Sequence, residues 1–292
     1  MRLYYFMFQY EKYKKFIIPL AVIALAVAII LTNRFFFSPK KELASFDFSD
    51  SGNEKSFVIE EANPMKNSKN PDWWLNSGGK MFVEKDYFST NLGEMDKDDK
   101  WRQLYKENNS RDSDKGYYPQ NVFRLVTRSQ WQNLAQQVYF NIERINLSES
   151  EYRNESNGVL LFNRYQDGDN LYYTGLRVDG HAVIKKKIDG KYYTLAEKNV
   201  LTKKGKYARV DSPNLIPENT WIGLKSELEN DGDDAVNIKL YIDDGTGEWK
   251  KVLEVTDEDE KYGAAPIFEK GYAGIRTDFM DVKFKGYHIE EH

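Results

Sequence analysis

The sequence predicts an all-β protein, a two-sheet antiparallel jelly-roll sandwich preceded by a single N-terminal transmembrane helix. Three observations carry this expectation. Phe16–Thr32 is an uncharged apolar run. From Trp73 onward, short segments rich in Tyr, Phe, Val, Ile and Trp are separated by turn residues. Within those segments apolar and polar residues alternate, as half-buried strands require.

At about 1.5 Å per residue the apolar run spans roughly 26 Å, close to a hydrocarbon core. Aromatic residues flank it, Tyr4, Tyr5, Phe6, Tyr10 and Tyr13 before and Phe35–Phe37 after, as at a membrane interface. We read residues 16–34 as an uncleaved signal anchor. A cleaved signal peptide is the alternative, since Ala24-Leu25-Ala26 and Ala26-Val27-Ala28 have the small-x-small spacing. Both lie inside the run, however, and Ile29–Leu31 continue beyond them. Arg2, Lys12, Lys14 and Lys15 before the segment slightly outweigh Arg34, Lys40 and Lys41 after it. The expected placement is a single pass through the cell membrane, with residues 1–15 a short cytoplasmic tail and the C-terminal domain extracytoplasmic. Residues 35–56 read as a stalk and residues 57–292 as one β-sandwich domain.

Residues 1–41 carry a net +6 in a chain of −4, leaving −10 for the remainder. An acidic domain argues against nucleic acid, whose affinity depends on basic residues. The chain has no cysteine, which excludes disulfides, thiolate metal sites and cysteine nucleophiles.

The expected strands are Gly79–Val83, Asn121–Arg128, Gln136–Ile145, Gly158–Tyr165, Leu171–Val178, Ala182–Ile188, Tyr192–Ala196, Trp221–Leu228, Val236–Ile242, Lys250–Val255, Tyr272–Arg276 and Asp281–Ile289. Asp179-Gly180 and Asp189-Gly190 join three of them into a meander over residues 171–196, because Asp-Gly supplies the positive φ of tight hairpins. No long segment has helical period, and a helical turn is expected only within Ser129–Gln137. One dry face per strand requires two packed sheets.

These pieces carry a resemblance. DWWLNSGGKMFV (Asp72–Val83) looks like an opening strand and turn, and Gly158–Leu195 resembles the central meander of concanavalin A-like lectin/glucanase domains, laminin-G-like jelly rolls included. NTWIGLKSEL with VNIKLYIDDG (Asn219–Gly245) and GYAGIRTDFMDVKFKGYHI (Gly271–Ile289) are similar to the later strands of that superfamily. The resemblance covers roughly residues 55–290. It implies a carbohydrate or polysaccharide ligand, and fold alone does not establish activity.

The glucanase branch places acids as Glu-x-Asp-x-x-Glu on one strand. The nearest match, Glu94-Met95-Asp96-Lys97-Asp98-Asp99, ends in Asp and lies in a loop-like context, so we read it as a solvated acidic loop and assign no catalytic residue. Lyases of this shape use His or Tyr as base with Arg or Lys beside it. His181 flanks a turn, while His288 and His292 are isolated near the end of the chain and form no zinc cluster.

A ligand-binding face is expected from Asn141, Glu143, Asn163, Tyr173, Arg177, Lys185, Lys225, Glu227 and Tyr241, which offer donors, acceptors and rings for stacking. A solvated outer face with cross-strand ion pairs accounts for the same residues. Of Trp73 and Trp74, at least one belongs to the core. Asp167, Asp169, Asp231 and Asp233 mark short oxygen-rich loops that offer ligands of the kind Ca²⁺ takes, and ordinary turn chemistry of Asp, Gly and Asn is the preferred account of them. The leading expectation is a membrane-tethered carbohydrate binder without catalysis. A glycoside hydrolase or polysaccharide lyase of the same fold, and a structural or adhesive surface protein, are the alternatives.

Overall fold

A computed structural model describes residues 56–201 and 205–291. Numbered along the chain, the strands form two sheets. The eight-stranded sheet has the order β1 (Phe57–Glu60), β3 (Lys80–Val83), β4 (Phe88–Thr90), β15 (Met280–Glu291), β6 (Leu134–Ile145), β11 (Ile222–Asp231), β12 (Ala235–Asp243) and β13 (Lys250–Glu258). The seven-stranded sheet has the order β10 (Lys191–Asn199), β9 (His181–Ile188), β8 (Leu171–Arg177), β7 (Gly158–Tyr165), β14 (Gly271–Asp278), β5 (Val122–Trp131) and β2 (Trp73–Ser77). Paired strands run antiparallel in both sheets.

Every strand expected from alternation is present, and the meander is β8–β9–β10. Asp189 and Gly190 sit at φ +48° and +80°, the two positive values that a type I′ hairpin needs. At the other hairpin only Gly180 is left-handed, at φ +86°, and its N–H donates to the Arg177 carbonyl at 2.9 Å. That pattern is a type I turn closed by a left-handed glycine.

Two local expectations are corrected. No helical turn occupies Ser129–Gln137; β5 and β6 run through it with a turn at Gln132-Asn133, because Trp131 and Leu134 are both buried and strand pairing outweighs local preference. Conversely, Lys100–Asn108 is a helix, α1. Asp99 caps it, its carboxylate accepting the Trp101 N–H at 2.9 Å, and it also pairs with Lys80. The acid run Glu94–Asp99 is thus a loop ending in a helix cap. The anchor, tail and stalk expected over residues 1–55 lie outside the described residues. Among the described residues no helix is long and apolar enough to cross a membrane.

Polar contacts between the sheets identify which residues face inward. Gln136 of β6 donates to Asn163 Oδ1 of β7 at 2.8 Å and accepts from Tyr287 of β15 at 2.9 Å. Asp257 of β13 lies 2.8 Å from Lys186 Nζ of β9 and accepts the Tyr172 hydroxyl of β8 at 2.7 Å. Lys186 and Asp257 are both fully buried. Around them pack Trp73, Leu75, Phe123, Leu161, Ile184, Leu224, Ile238, Ile275 and Phe284. Each such side chain contributes about 1.5–3 kcal/mol by leaving water.

Candidate functional site

Strand alternation turns the partners of these inward residues outward. On β7, Asn163 points between the sheets, so Leu160 and Phe162 point away. On β8, Tyr172 points inward and Leu171, Tyr173 and Arg177 outward. On β9, Lys186 points inward and Val183, Lys185 and Lys187 outward. The outer face of the seven-stranded sheet is nevertheless not an ordinary wet surface. Val126, Leu160, Phe162, Tyr165, Leu171, Tyr173 and Val183 form a second buried apolar cluster there, with Trp74 and Tyr272 packed against it.

The backbone produces this cluster locally. Arg164 adopts φ +48°, an extra residue that breaks alternation in β7 and turns Tyr165 to the same face as Phe162. Their rings stack at 5.2 Å. Tyr173 meets Phe162 edge-on at 5.4 Å and lies 5.9 Å from the ring of Tyr192 on β10. The buried Arg164 guanidinium donates to the Gln132 and Ile267 carbonyls, and burial lowers its pKa to about 10.

Over this face lies a cleft of about 320 Å³ lined by Tyr152, Asn154, Ser156, Asn157, Leu160, Tyr173, Val183, Lys185, Tyr192 and Arg276. The β6–β7 connection forms one wall, and β7, β8, β9, β10 and β14 form the floor and the other wall. Tyr152 and Tyr192 are 60% and 50% exposed, the Tyr192 ring carrying the Lys187 ammonium 5.1 Å from its centroid. At the base, Arg276 is held by Asp278 at 2.9 Å, and its Nη1 lies 3.3 Å from the Tyr173 hydroxyl.

The electrostatics follow from this packing. Burial works against the Arg276 charge, but the Asp278 carboxylate and the Tyr173 and Tyr192 phenols hold the guanidinium protonated well above its ordinary value. Burial pushes the Tyr173 phenol up to about 12, despite Arg276. Burial also raises Tyr192, yet the charge and hydrogen bond of Arg276, with Tyr173 and Lys187, bring it below the ordinary tyrosine value. Lys185 is lowered, first by burial and then by Arg177.

The structure divides the expected binding residues among three places. Tyr173 and Lys185 line the cleft. Arg177 shares their face but is engaged by Asp179 and by Glu197, the latter at 3.3 Å. Asn163 belongs between the sheets, fully buried and hydrogen-bonded to Gln136 and Thr174, and so leaves the candidate set. Asn141, Glu143, Lys225, Glu227 and Tyr241 lie on the eight-stranded sheet. There Glu227 takes Lys225 at 2.8 Å and the Tyr241 hydroxyl at 2.8 Å, and Glu143 takes Lys283 at 3.1 Å. That face matches the description of cross-strand ion pairing.

Trp73 is buried, edge-on to Tyr287 at 4.9 Å, while Trp74 turns to the outer face and donates to the Ala62 carbonyl at 2.6 Å. His181 Nδ1 lies 3.1 Å from Asp179, and His288 Nε2 lies 3.7 Å from Glu290. The four loop aspartates fall on two separate hairpins. Asp167 accepts the Asp169 N–H at 2.7 Å, Asp169 pairs with Lys187 at 2.9 Å, and Asp231 accepts from Asn237 at 3.1 Å. Among the described residues no group of three or more His, Cys, Asp or Glu side chains is placed to hold a metal ion.

Sequence reasoning missed Arg276, Tyr192 and Tyr152. The signal that pointed to them was the lack of alternation in GVLLFNRY and LYYTGLR, where every residue is buried. Strands dry on both faces need a second apolar layer.

No protein-family model matches the chain, and no curated protein matches it. Among solved structures, the carbohydrate-binding module CBM66 from Bacillus subtilis is similar at TM-score 0.41 and 17% identity, over 58% of this chain and 82% of that one. A Bacillus licheniformis β-glucanase is similar at TM-score 0.42 and 11% identity, over 81% and 98%. The exoplasmic/lumenal domain of VIP36 in its Ca²⁺-bound form is similar at TM-score 0.34 and 11% identity, over 82% and 96%. The likenesses are distant, and the reading of the site rests on its own residues.

Proposed function

We propose that this chain is a membrane-tethered, extracytoplasmic β-sandwich of the concanavalin A-like jelly-roll type that binds carbohydrate without catalysis. The membrane part rests on the run Phe16–Thr32 alone. The observation that carries the binding part is the cleft on the seven-stranded sheet. It sets the exposed rings of Tyr152 and Tyr192 among the side-chain donors and acceptors of Asn154, Ser156, Asn157, Lys185 and Arg276. Rings cover the apolar faces of a sugar and fixed polar groups take its hydroxyls, which is the composition a small polar ligand requires.

One observation favours a second reading, a polysaccharide-degrading enzyme. Tyr192 stands in an open cleft with its pKa lowered by the charge of Arg276, the arrangement a proton-abstracting tyrosine needs. Among the described residues no carboxylate lines that cleft, which disfavours the paired-acid hydrolase and leaves an eliminative lyase.

The purified full chain is to be screened against a glycan and polysaccharide panel, following both binding and product release. Binding without turnover is expected. Tyr192→Ala and Tyr152→Ala should each cost roughly tenfold in affinity, about 1.4 kcal/mol, with Tyr241→Ala on the opposite sheet unchanged. New unsaturated-uronate absorbance establishes the lyase. Loss of binding only in Tyr241→Ala moves the site to the eight-stranded sheet, and no binding to any glycan overturns the saccharide reading.

A further inference from the structure

We infer that the cleft selects saccharides carrying an acidic group, and that Lys185 is the side chain that meets it. The inference rests on the saccharide reading above. It starts from the run Lys185-Lys186-Lys187 on β9, which alternation divides between the two faces of the sheet. Lys186 goes inward and is matched by Asp257. Lys187 goes outward and reaches Asp169 at 2.9 Å and the Gly168 carbonyl at 2.8 Å. Lys185 goes outward into the cleft, half-buried, and among the described residues its ammonium has neither a hydrogen bond nor an ion pair.

Among the described residues no anion is in direct contact with Lys185. The residues lining the cleft include two cations and no carboxylate. Of the nearby acids, Asp278 is held by Arg276, while Asp179 and Glu197 share Arg177; these two lie outside the cleft lining and attract Lys185 only from a distance, with no direct contact. The Lys185 side chain is directly across from Tyr173 and Thr194 in the strand register, and the acid of β10 on the same face, Glu197, lies opposite Val183 and is held by Arg177. A half-desolvated ammonium with no directly bonded anion is unfavourable, and burial and Arg177 lower its pKa against the weaker attraction of Glu197, Tyr192 and Asp179. A ligand oxyanion relieves it through a charge-assisted hydrogen bond, roughly twice as strong as a neutral one. A neutral sugar leaves the charge uncompensated, so the same lysine discriminates against it.

The whole-chain field does not produce this preference. Outside residues 1–41 the chain carries −10, which repels a polyanion at long range. The attraction is local to the cleft, and basic surface patches need not be invoked.

The test measures affinities of the full chain by calorimetry at low salt for an oligogalacturonate, a sulfated oligosaccharide and a neutral xylo-oligosaccharide of matched length. At least one acidic ligand is expected to bind ten times or more tighter than the neutral one. Lys185→Met, close in volume, should abolish that preference, Lys185→Arg should keep most of it, and Tyr192→Ala should weaken acidic and neutral ligands alike. Preference for only one of the two acidic ligands supports the inference and names the acid as carboxylate or sulfate. Equal binding of neutral and acidic sugars overturns the inference and leaves the saccharide reading standing. A preference that survives in Lys185→Met overturns the role of Lys185. No binding to any of the three removes the saccharide reading together with the inference.

Discussion

Replacing Asp257 by Ala tests whether the two sheets are pinned where the structure places the pin. Asp257 on β13 and Lys186 on β9 are both fully buried, 2.8 Å apart, and the Tyr172 hydroxyl donates to the same carboxylate at 2.7 Å. The remaining Lys186 contact is to the Ala264 carbonyl. Asp257→Ala therefore strands a buried ammonium and leaves Tyr172 without its acceptor. Breaking a buried pair from one side costs about 3–5 kcal/mol. At about 2–4 °C per kcal/mol for a domain of this size, the expected fall in Tm is roughly 6–20 °C. Removing both charges in Asp257→Leu with Lys186→Met should recover most of that loss, because the desolvation penalty leaves with the charges. The assay is thermal unfolding of the full chain followed by far-ultraviolet circular dichroism, with urea unfolding as a check on the free energies. Glu151→Gln, which removes an exposed partner of Arg111, is the control and should leave Tm unchanged. A fall in Asp257→Ala no larger than in this control, or a double variant worse than the single one, refutes the reasoning.

Two further predictions concern conditions. Affinity for an acidic saccharide should fall on the alkaline side. Lys185, lowered by burial and Arg177, loses its charge below the ordinary 10.5, and Tyr192, also lowered, gains a negative one. Both changes make the cleft less positive as pH rises. Of the other groups facing it, Arg276 stays protonated and Tyr173 titrates only near about 12. Asp179 and Glu197 remain paired with Arg177, and Tyr152 lies on the opposite wall. Lys185→Arg with Tyr192→Phe should flatten the profile measured by calorimetry, and a flat profile in the unaltered chain contradicts the assignment. Calcium is expected to leave Tm unchanged between chelator and millimolar Ca²⁺, because Asp167, Asp169 and Asp231 are occupied by turn and cross-strand contacts; a Ca²⁺-dependent rise of several degrees would revive the metal reading.

Strand existence was legible because a strand's period of two survives in sequence wherever one face is wet. In β11 and β12, Leu224, Leu228, Ile238 and Leu240 are buried while Lys225, Glu227, Lys239 and Tyr241 are not, as alternation implies. The helix α1 was hidden for the opposite reason. It buries little beyond Tyr105, so its sequence lacks an apolar stripe and only the cap Asp99 marks it. Face assignment across strands was not legible. Alternation sorts residues within a strand, but which parity faces the other sheet depends on register and on bulges, such as the one at Arg164. For that reason Asn163, Tyr173 and Tyr241 looked equivalent and proved to be in the core, in the cleft and on the far sheet.

The same logic explains why the proposed site is placed on the seven-stranded sheet. A sandwich needs each sheet to be dry on one side only. β7 and β8 are buried on both sides, although among the described residues no third layer of regular structure covers them. Their outer face is kept from water by its own rings and by the β6–β7 connection, which closes over part of it and leaves the cleft. Close packing is also enforced from below. A Cβ on Gly175, on the same face, would lie 2.3 Å from the Val159 carbonyl oxygen, so this stretch of β8 must approach β7 with no side chain between them. Apolar rings gathered on a face that the fold does not require to be dry, with a lysine among them that has no direct anionic partner, are the features on which the proposed ligand site rests.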